Sequence, residues 1–133
     1  MVDHCDIERR NMEVVRRLLQ EGYAEGAMAI LPHLVAPDYI GRLGIGAHYG
    51  PEGMRIDIAA YRALLPDLSV TIDDLFASGN SIARRFTFRG TLLQASGQPG
   101  IRSVVLHGMA IDRLADGLLV ESWVVIEPMP PGT

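Results

Sequence analysis

Apolar residues in the first half of the chain recur every three or four positions, which is the spacing of one helical face. Over residues 6–23 this pattern predicts a first amphipathic helix. The shorter apolar piece AMAILPHLV predicts a second, short helix that ends before Pro37. A third helix is predicted between Pro51, which suits the first helical position, and Pro66, which ends it.

Beyond Pro66 the apolar positions alternate with polar ones, which is the pattern of a strand with one buried face. The segments LSVTIDDLF and SIARRFTFRGTLL flank a turn at residues 78–80, and a loop at residues 94–100 leads to IRSVVLHGMAIDRL. A tight turn at residues 115–117 then precedes LLVESWVVIE. These four segments predict two antiparallel hairpins in series.

Three helices followed by four strands predict an α+β fold in which the helices cover one face of a curved antiparallel sheet. A cavity between the helices and the sheet is the default ligand site. The length of 133 residues and the 48% apolar composition predict one domain over residues 1–133, with loose termini at residues 1–5 and 128–133. The glycine-rich segment GRLGIGAHYG is interpreted as a flexible loop, because its context does not fit a phosphate-binding motif.

The composition excludes several classes of protein. The net charge is −4 and the chain contains no lysine, so no basic face is expected for nucleic acid. Cys5 is the one cysteine, which excludes an internal disulfide, and no spaced set of ligands suggests a metal site. Without a signal peptide or a long apolar run, we expect a cytoplasmic protein, and the absence of lysine suggests a GC-rich bacterial source.

Three segments resemble the SnoaL-like polyketide cyclases, a family within the nuclear-transport-factor-2-like superfamily. They are GPEGMRIDIAAYRALLPDLSVTIDDLFASGN, ARRFTFRGT and GMAIDRLADGLLVESW, and the resemblance covers residues 8–127. It implies a conical barrel, formed by the curved sheet wrapped around the helices, with an internal pocket that the third helix helps to wall. It also implies a homodimer.

The cyclases of this family close rings on polyketide esters by intramolecular aldol chemistry, with no metal or organic cofactor, and they use an Asp in the pocket as acid and base. The resemblance places Ala110 at the position of that Asp. In the related limonene-epoxide hydrolases an Arg and two Asp residues share one site. Arg85 matches that Arg, but Thr87 and Val125 stand at the carboxylate positions, so epoxide hydrolysis is not expected.

Three residues are the candidates for catalysis, namely Asp112, His48 and Arg85. Since alternate residues of a strand face the same way, Asp112 is expected beside Ala110, either as a solvated carboxylate at the strand end or as a displaced acid. His48 has the intrinsic pKa for proton transfer, unless it is an exposed loop residue. Of the adjacent Arg84 and Arg85, the resemblance selects Arg85 for the pocket, where it would stabilise an oxyanion or form a structural salt bridge.

Seven further residues are predicted to contact the substrate. Near the pocket mouth, the Tyr39 hydroxyl and the Arg42 guanidinium can hold an enolate or a carboxylate. Trp123 is expected on the pocket floor, as a platform for a flat ligand or as a core residue. The complete set is Tyr39, Arg42, Thr87, Ala110, Glu121, Trp123 and Val125.

Two functions remain open at this point. The first is a cofactor-independent enzyme that resembles the family's cyclases and acts on a hydrophobic, oxygenated substrate by intramolecular aldol cyclisation or by isomerisation. The second is a non-catalytic module for small-molecule binding or assembly, which Ala110 favours because the family's Asp is missing. The expected partners are a hydrophobic small molecule and a second copy of the chain, with no nucleic acid, no membrane and no metal.

Overall fold

The structure is a computed structural model that describes residues 3–44, 46–92 and 102–130. The predicted loop at residues 94–100 lies outside these ranges, and so do residues 131–133 of the predicted loose tail. The descriptions below therefore concern the three described ranges.

The helices lie on one side of a sheet. In chain order they are α1 His4–Arg17, which continues as a π-helical turn over Leu18–Tyr23, a 3₁₀ turn at Met28–Ile30, α2 Leu31–Leu34 and α3 Gly50–Leu64. They match the three predicted helices, and Pro51 lies in the first turn of α3 as expected. Since α1 begins at His4, residues 4 and 5 form its first turn and the prediction of a loose segment there is wrong.

Six strands form one mixed sheet. They are β1 Val35–Leu43, β2 Gly46–Tyr49, β3 Ser69–Ser78, β4 Ser81–Leu92, β5 Arg102–Ala115 and β6 Leu118–Ile126. Their order across the sheet is β2-β1-β6-β5-β4-β3, and β1 pairs with β6 in parallel while the other pairs are antiparallel. The α+β fold class is confirmed, and the four predicted strands are β3 to β6.

The segment GRLGIGAHYG is not a flexible loop. Its first residues complete β1, and Gly46–Tyr49 form β2, which pairs antiparallel with β1 so that Gly41 lies opposite His48. Glycines obscure a strand pattern because they contribute no side chain to the alternation. The resulting hairpin gives His48 a fixed place at the sheet edge.

The helices pack on what we call the inner face of the sheet, and the opposite side is the outer face. Val15 and Leu19 in the first helical region and Ile58 in α3 pack with Ile82 and Phe86 of β4, and all five are at most 2% exposed. Burial of an apolar side chain of this size contributes about 1.5–3 kcal/mol. The inner layer is therefore the main source of stability and the wall against which the site is built.

Side chains of β5 alternate regularly between the two faces. Over residues 104–114 the even positions are buried and the odd positions are exposed. In β4 the buried residues of the inner face are Ile82, Arg84, Phe86, Phe88 and Leu92. A basic residue thus occupies a position on the inner face that the pattern otherwise gives to apolar residues.

Candidate functional site

Two buried charges lie on the inner face. Arg84 of β4 is 6% exposed and Asp112 of β5 is 0% exposed. Arg84 donates from Nε to Oδ2 of Asp112 at 2.7 Å and from Nη2 to Oδ1 at 3.1 Å. Ser122 of β6, which pairs with Asp112 across the sheet, donates its hydroxyl to Oδ1 at 2.6 Å. Although burial alone would lower it, the contact with Asp112 raises the pKa of Arg84, so the guanidinium stays charged.

Tyr39 and His48 come from the neighbouring strands β1 and β2. Tyr39 is 1% exposed, and its ring centroid lies 5.7 Å from that of His48. Gly41 makes this approach possible, because a Cβ atom on Gly41 would lie 2.6 Å from Nε2 of His48 and 2.8 Å from the Tyr39 hydroxyl oxygen. Burial raises the pKa of Tyr39 to about 12, so at neutral pH it keeps its hydroxyl proton.

The His48 ring lines the same space as Tyr39. Its Nδ1 atom is buried and has no hydrogen-bond partner within the described residues. Burial lowers the pKa of His48, and the charge of Asp57 offsets part of that effect. At neutral pH the ring is therefore uncharged and can accept a proton.

On the helical side, Asp57 of α3 faces the same space. The Tyr23 hydroxyl donates a hydrogen bond of 2.5 Å to Oδ2 of Asp57. Burial, together with the charge of Asp57, raises the pKa of Tyr23 well above its usual value. Tyr61 lies one turn along α3 from Asp57, and burial and the same charge raise its pKa as well. Both phenols therefore remain protonated around a carboxylate.

A narrow cavity lies among these groups, between the helices and the inner face. Its volume is about 30 Å³, which is room for a few water molecules at most. The residues that line it are Leu18, Leu19, Tyr23, Tyr39, Leu43, His48, Met54, Asp57, Tyr61, Arg84, Phe86, Phe88, Val124 and Ile126. Apolar and aromatic side chains thus surround a few polar groups, as in many ligand sites.

A wider hollow of about 300 Å³ adjoins this cavity, and we call it the vestibule. The two share four lining residues, which are Leu43, Tyr61, Val124 and Ile126. Pro128 and Met129, which follow β6, complete the mostly apolar wall of the vestibule. A ligand with an apolar body in the vestibule could therefore place a small polar end against the inner cavity.

The sequence model of the SnoaL-like polyketide cyclases matches residues 13–132. The chain belongs to this family. No curated protein matches the chain. Membership in the family agrees with the helices that pack on a curved sheet and with the cavity between them.

Solved structures share this fold. TsrD from Streptomyces laurentii is 28% identical, with a TM-score of 0.75, and the match covers 96% of this chain and 92% of that chain. A protein from Jannaschia sp. CCS1, assigned to the SnoaL-like polyketide cyclases, is 21% identical over 96% of this chain and 92% of its own, with a TM-score of 0.81. IdmH from Streptomyces antibioticus, assigned as a polyketide cyclase, is 24% identical over 88% of this chain and 91% of its own, with a TM-score of 0.77. The last two likenesses show the fold alone.

Arg85 and Thr87 do not face the cavity, so their predicted orientation is wrong. The Arg85 side chain is 48% exposed on the outer face and donates from Nε to Asp74 at 2.7 Å. Thr87 lies on the same face, where its hydroxyl is buried beneath neighbours and donates to Asp73 at 2.6 Å. The resemblance selects the wrong parity of β4, and Arg84 takes the inner position instead of Arg85.

Glu121, Trp123 and Val125 are predicted to contact the substrate, but they lie on the outer face, where Trp123 is 40% and Val125 is 74% exposed. None of the three lines the inner cavity, although Val125 borders the vestibule. The reason is a β-bulge at Arg113 and Leu114, across which the pairing of β5 with β6 shifts by one residue. A shift of one residue moves every following side chain of a strand to the other face. The sequence pattern does not report this bulge, so it gives no sign that the three side chains lie on the outer face.

Arg42 also lies on the outer face and forms an ion pair with Glu121. Its guanidinium carbon is 5.4 Å from the centre of the Trp123 ring, and that of Arg113 lies at the same distance. Trp123 is therefore an outer-face residue between two cations rather than a pocket floor. The predicted residues that do occupy the inner side of the sheet are Tyr39, His48, Ala110 and Asp112.

Among the cavity residues that sequence reasoning missed are Arg84, Tyr23 and Asp57. Each carried a usable signal. Arg84 shares the parity of the large apolar residues of β4, and Asp57 interrupts the apolar stripe of α3 at a position three residues after Met54. Tyr23 ends the apolar stripe of the first helix. A polar residue inside an apolar stripe deserves to be treated as a site candidate.

Within residues 3–44, 46–92 and 102–130, no three His, Cys, Asp or Glu side chains are grouped so that they could hold a metal ion. In the same part of the chain, no helix has the length and apolar character needed to cross a membrane. The expectations that the protein uses neither metal nor organic cofactor stay predictions.

Proposed function

We propose that the chain is a cofactor-independent enzyme that forms an enolate from a hydrophobic, oxygenated carbonyl substrate, during an intramolecular aldol cyclisation or an isomerisation. The observation that carries this proposal is the charged Arg84 in the wall of an otherwise largely apolar cavity. Two of its nitrogens are held by Asp112, and Nη1 makes no hydrogen bond to any residue in the described part of the chain. That nitrogen is available to a ligand oxygen.

The polar groups suit the charge that enolate formation creates. When a proton leaves the carbon beside a carbonyl, negative charge develops on the carbonyl oxygen. Arg84 and the Tyr39 hydroxyl line the cavity as fixed donors, and both are shielded from water. Donors that are oriented before the reaction stabilise such charge strongly, and loss of one typically lowers the rate by about 10²–10³-fold.

Asp112 is proposed to act through Arg84 rather than as the acid and base. Both of its oxygens already accept hydrogen bonds, from Arg84 and from Ser122. A carboxylate held in this way fixes the guanidinium and balances its charge. The proton must therefore be taken by another group on the cavity wall, and His48 is the candidate that the sequence provides.

The hydrophobic part of the substrate is assigned to the vestibule. Its volume of about 300 Å³ is at the lower end of ordinary ligand pockets, whereas the inner cavity of about 30 Å³ accepts only the reacting end. Tyr61 lines both spaces. A bicyclic ketone is therefore a suitable probe, since its carbonyl group and adjacent carbon are small and its body is apolar.

One observation favours a second candidate function, a binding or assembly module without catalysis. The inner cavity is narrow, and Ala110 faces inward opposite Arg84, at the position where the resemblance places the family's Asp. Such a module would bind apolar ligands in the vestibule without exchanging a proton. The experiment below separates the two functions.

The test uses 2-tetralone, a bicyclic ketone, and follows by proton NMR in D₂O the loss of the protons beside its carbonyl. Wild type is expected to accelerate this exchange, and Tyr39→Phe, which removes only a hydroxyl, is expected to lower the rate by about 100-fold. Arg84→Met is expected to lower the exchange rate by at least the same factor, while the matched variant Arg85→Met should keep the wild-type rate. Binding of 2-naphthol without any exchange of 2-tetralone would support the binding module instead.

We also propose that the chain forms a homodimer through the outer face. Phe76, Ala83, Ile111 and Trp123 lie side by side in one row across four strands, and Phe76, Ile111 and Trp123 are 66%, 47% and 40% exposed. A row of exposed apolar side chains on a sheet is typical of an interaction surface. Ile111→Glu should convert a dimer into a monomer in analytical ultracentrifugation, and a wild-type monomer at micromolar concentration would exclude this assembly.

A further inference from the structure

Asp57 is the one carboxylate that lines the cavity in the described part of the chain. It forms no ion pair among residues 3–44, 46–92 and 102–130, and it accepts a hydrogen bond from the neutral hydroxyl of Tyr23. The side chain is half-buried, so this carboxylate lies at the wall of the cavity rather than inside the core. A titratable group without an ion-pair partner in a cleft is a candidate for a functional role.

Asp57 and Asp112 differ in what their oxygens are free to do. Asp112 accepts three hydrogen bonds from Arg84 and Ser122, so neither oxygen is available. In Asp57, Oδ2 accepts from Tyr23, whereas Oδ1 accepts no hydrogen bond from the described residues. Asp57 can therefore take a proton without losing an ion pair, and Asp112 cannot.

The position of Asp57 relative to Arg84 is also informative. Asp57 projects from α3, and Arg84 projects from the sheet, so the two line the cavity from opposite layers of the fold. No ion pair joins them, because Arg84 is held by Asp112. A carbonyl group in the cavity would thus have a donor on the sheet side and a free carboxylate oxygen on the helix side.

We propose that Asp57 is the catalytic base, whose Oδ1 takes the proton from the carbon beside the substrate carbonyl. This assignment rests on the proposed function. It concerns a carboxylate supplied by α3, whereas the family resemblance directs attention to the position of Ala110 in β5. The assignment gives the cavity a base on one wall and the enolate-stabilising groups on the other.

The step balances without any further reactant. The C–H bond breaks, an O–H bond forms on Asp57, and the electron pair of the C–H bond moves into the enolate, whose oxygen faces Arg84 and Tyr39. In an aldol cyclisation the enolate carbon then forms a bond to a second carbonyl carbon, and the resulting alkoxide recovers the proton. In D₂O, a deuteron delivered to the enolate carbon completes exchange.

Charge favours Asp57 over His48 for this step. Proton transfer to Asp57 moves one negative charge from the carboxylate to the enolate, so the total charge and the number of charges in the cavity do not change. Transfer to neutral His48 would create an imidazolium and an enolate from two neutral groups, which is unfavourable in a site shielded from water. Burial also lowers the pKa of His48, which weakens it as a base.

The experiment measures exchange of 2-tetralone in D₂O for wild type, Asp57→Asn, His48→Gln and the control Glu52→Gln. Glu52 lies on the same helix but is exposed and pairs with Arg55, so its variant tests a charge change on α3 away from the cavity. We expect Asp57→Asn to lower kcat/KM by about 10²–10⁴-fold, the usual range for a general base, and Glu52→Gln to keep the wild-type value. His48→Gln should lower kcat/KM less than Asp57→Asn does.

A second variant separates catalysis from structure. Asp57→Ala removes the carboxyl group and leaves space for a small acid, so added formate should restore a part of the exchange rate in this variant and in no other. Thermal unfolding of each variant shows whether it is folded. A folded Asp57→Asn that keeps more than a tenth of the wild-type rate overturns the assignment, and absence of formate rescue in folded Asp57→Ala does so too.

The outcomes also distinguish this inference from the proposed function. If wild type exchanges 2-tetralone and Asp57→Asn does so equally, the base assignment fails while the enzyme function stands. If His48→Gln alone abolishes exchange, the role of base passes to His48. If wild type gives no exchange, the proposed function fails and the assignment of Asp57 fails with it.

Discussion

Arg84 and Arg85 are neighbours in β4, but their side chains lie in opposite environments. Arg84 is 6% exposed and donates two hydrogen bonds to one carboxylate inside the fold, whereas the Arg85 side chain is 48% exposed and pairs with Asp74 at the surface. The residue type is the same, and only the parity of the strand differs. The inner arginine lines the candidate site, and the outer one is part of a charged surface.

This difference extends to the two faces of the sheet as a whole. On the inner face the polar residues are few: Tyr39, His48 and Arg84 line one cavity, and Asp112 and Ser122 are buried beside Arg84. On the outer face Arg42, Arg113, Glu121 and Trp123 form a half-exposed cluster of ion pairs and ring contacts. Removal of a charge should therefore lower the free energy of unfolding strongly on the inner face and only slightly on the outer face.

The largest expected effect is that of Asp112→Asn. This change leaves the buried guanidinium of Arg84 without its counter-charge, and breaking a buried pair from one side typically costs about 3–5 kcal/mol. The free energy of unfolding, measured by urea titration, should fall by that amount, while Asp74→Asn, the matched change beside Arg85, should alter it little. Equal losses in the two variants would contradict the contrast between the faces.

The double variant Arg84→Met with Asp112→Asn sharpens this test. Because it removes the unpaired cation as well, we expect it to recover part of the stability that Asp112→Asn alone loses. If the double variant loses more free energy of unfolding than the two single variants lose together, Arg84 is held by contacts other than Asp112.

The next effect concerns a glycine on the inner face. A Cβ atom on Gly108 of β5 would lie 2.4 Å from Cζ of Phe86, whose ring is rigid and buried. Overpacking of this kind costs about 1–3 kcal/mol, so Gly108→Ala should lower the urea midpoint clearly. Gly46 of β2 has no neighbouring atom within 4 Å of such a Cβ, and Gly46→Ala serves as the control with little change. A midpoint for Gly108→Ala equal to that of the control would mean that the ring is free to move.

The fold was largely predictable, and the reasons are visible in particular segments. The stripes of α1 and α3 and the alternation in β3 to β6 are long and regular, and prolines mark both ends of α3. The β2 strand was not predictable in the same way, because GAHY is too short and too small in its side chains to show an alternation. The parallel pairing of β1 with β6 joins segments that are far apart in sequence, which local patterns do not report.

The candidate site was predictable only in part, and the failures have physical causes. Asp112 lies on the inner side, as the alternation of β5 predicts, whereas Tyr39 comes from β1, a strand that the sequence pattern does not predict. Glu121 and Trp123 were not placed correctly, because the one-residue bulge at Arg113 that reverses their orientation leaves no mark in an apolar run that fits either face. Asp57 joins the site through packing of α3 against the sheet, which depends on tertiary structure.

A smaller effect is expected from the pH dependence of stability. Because burial lowers the pKa of His48 in the folded chain, the unfolded chain binds this proton more readily than the folded chain does. The contribution of uncharged His48 to the free energy of unfolding is therefore fully present above the pKa of the unfolded chain, about 6.5, and is lost as the pH falls through the pKa of the folded chain. Between pH 8 and pH 5, urea titrations should show a larger loss for wild type than for His48→Gln. Parallel losses would mean that His48 is solvated in the folded chain.

The smallest expected effect belongs to the outer face. Trp123 is the one tryptophan of the chain, so its fluorescence reports on this face alone, and Arg113 contributes one of its two cation contacts. Arg113→Ala should change the emission spectrum while it lowers the free energy of unfolding by no more than about 0.5–1 kcal/mol, since an exposed contact of this kind is weak. Asp57→Asn is the inner-face control and should leave the emission unchanged, because Asp57 and Trp123 lie on opposite sides of the sheet. If the inner-face change moves the emission as much as Arg113→Ala does, the two faces are coupled through the strands, and Arg84 and Arg85 no longer belong to independent environments.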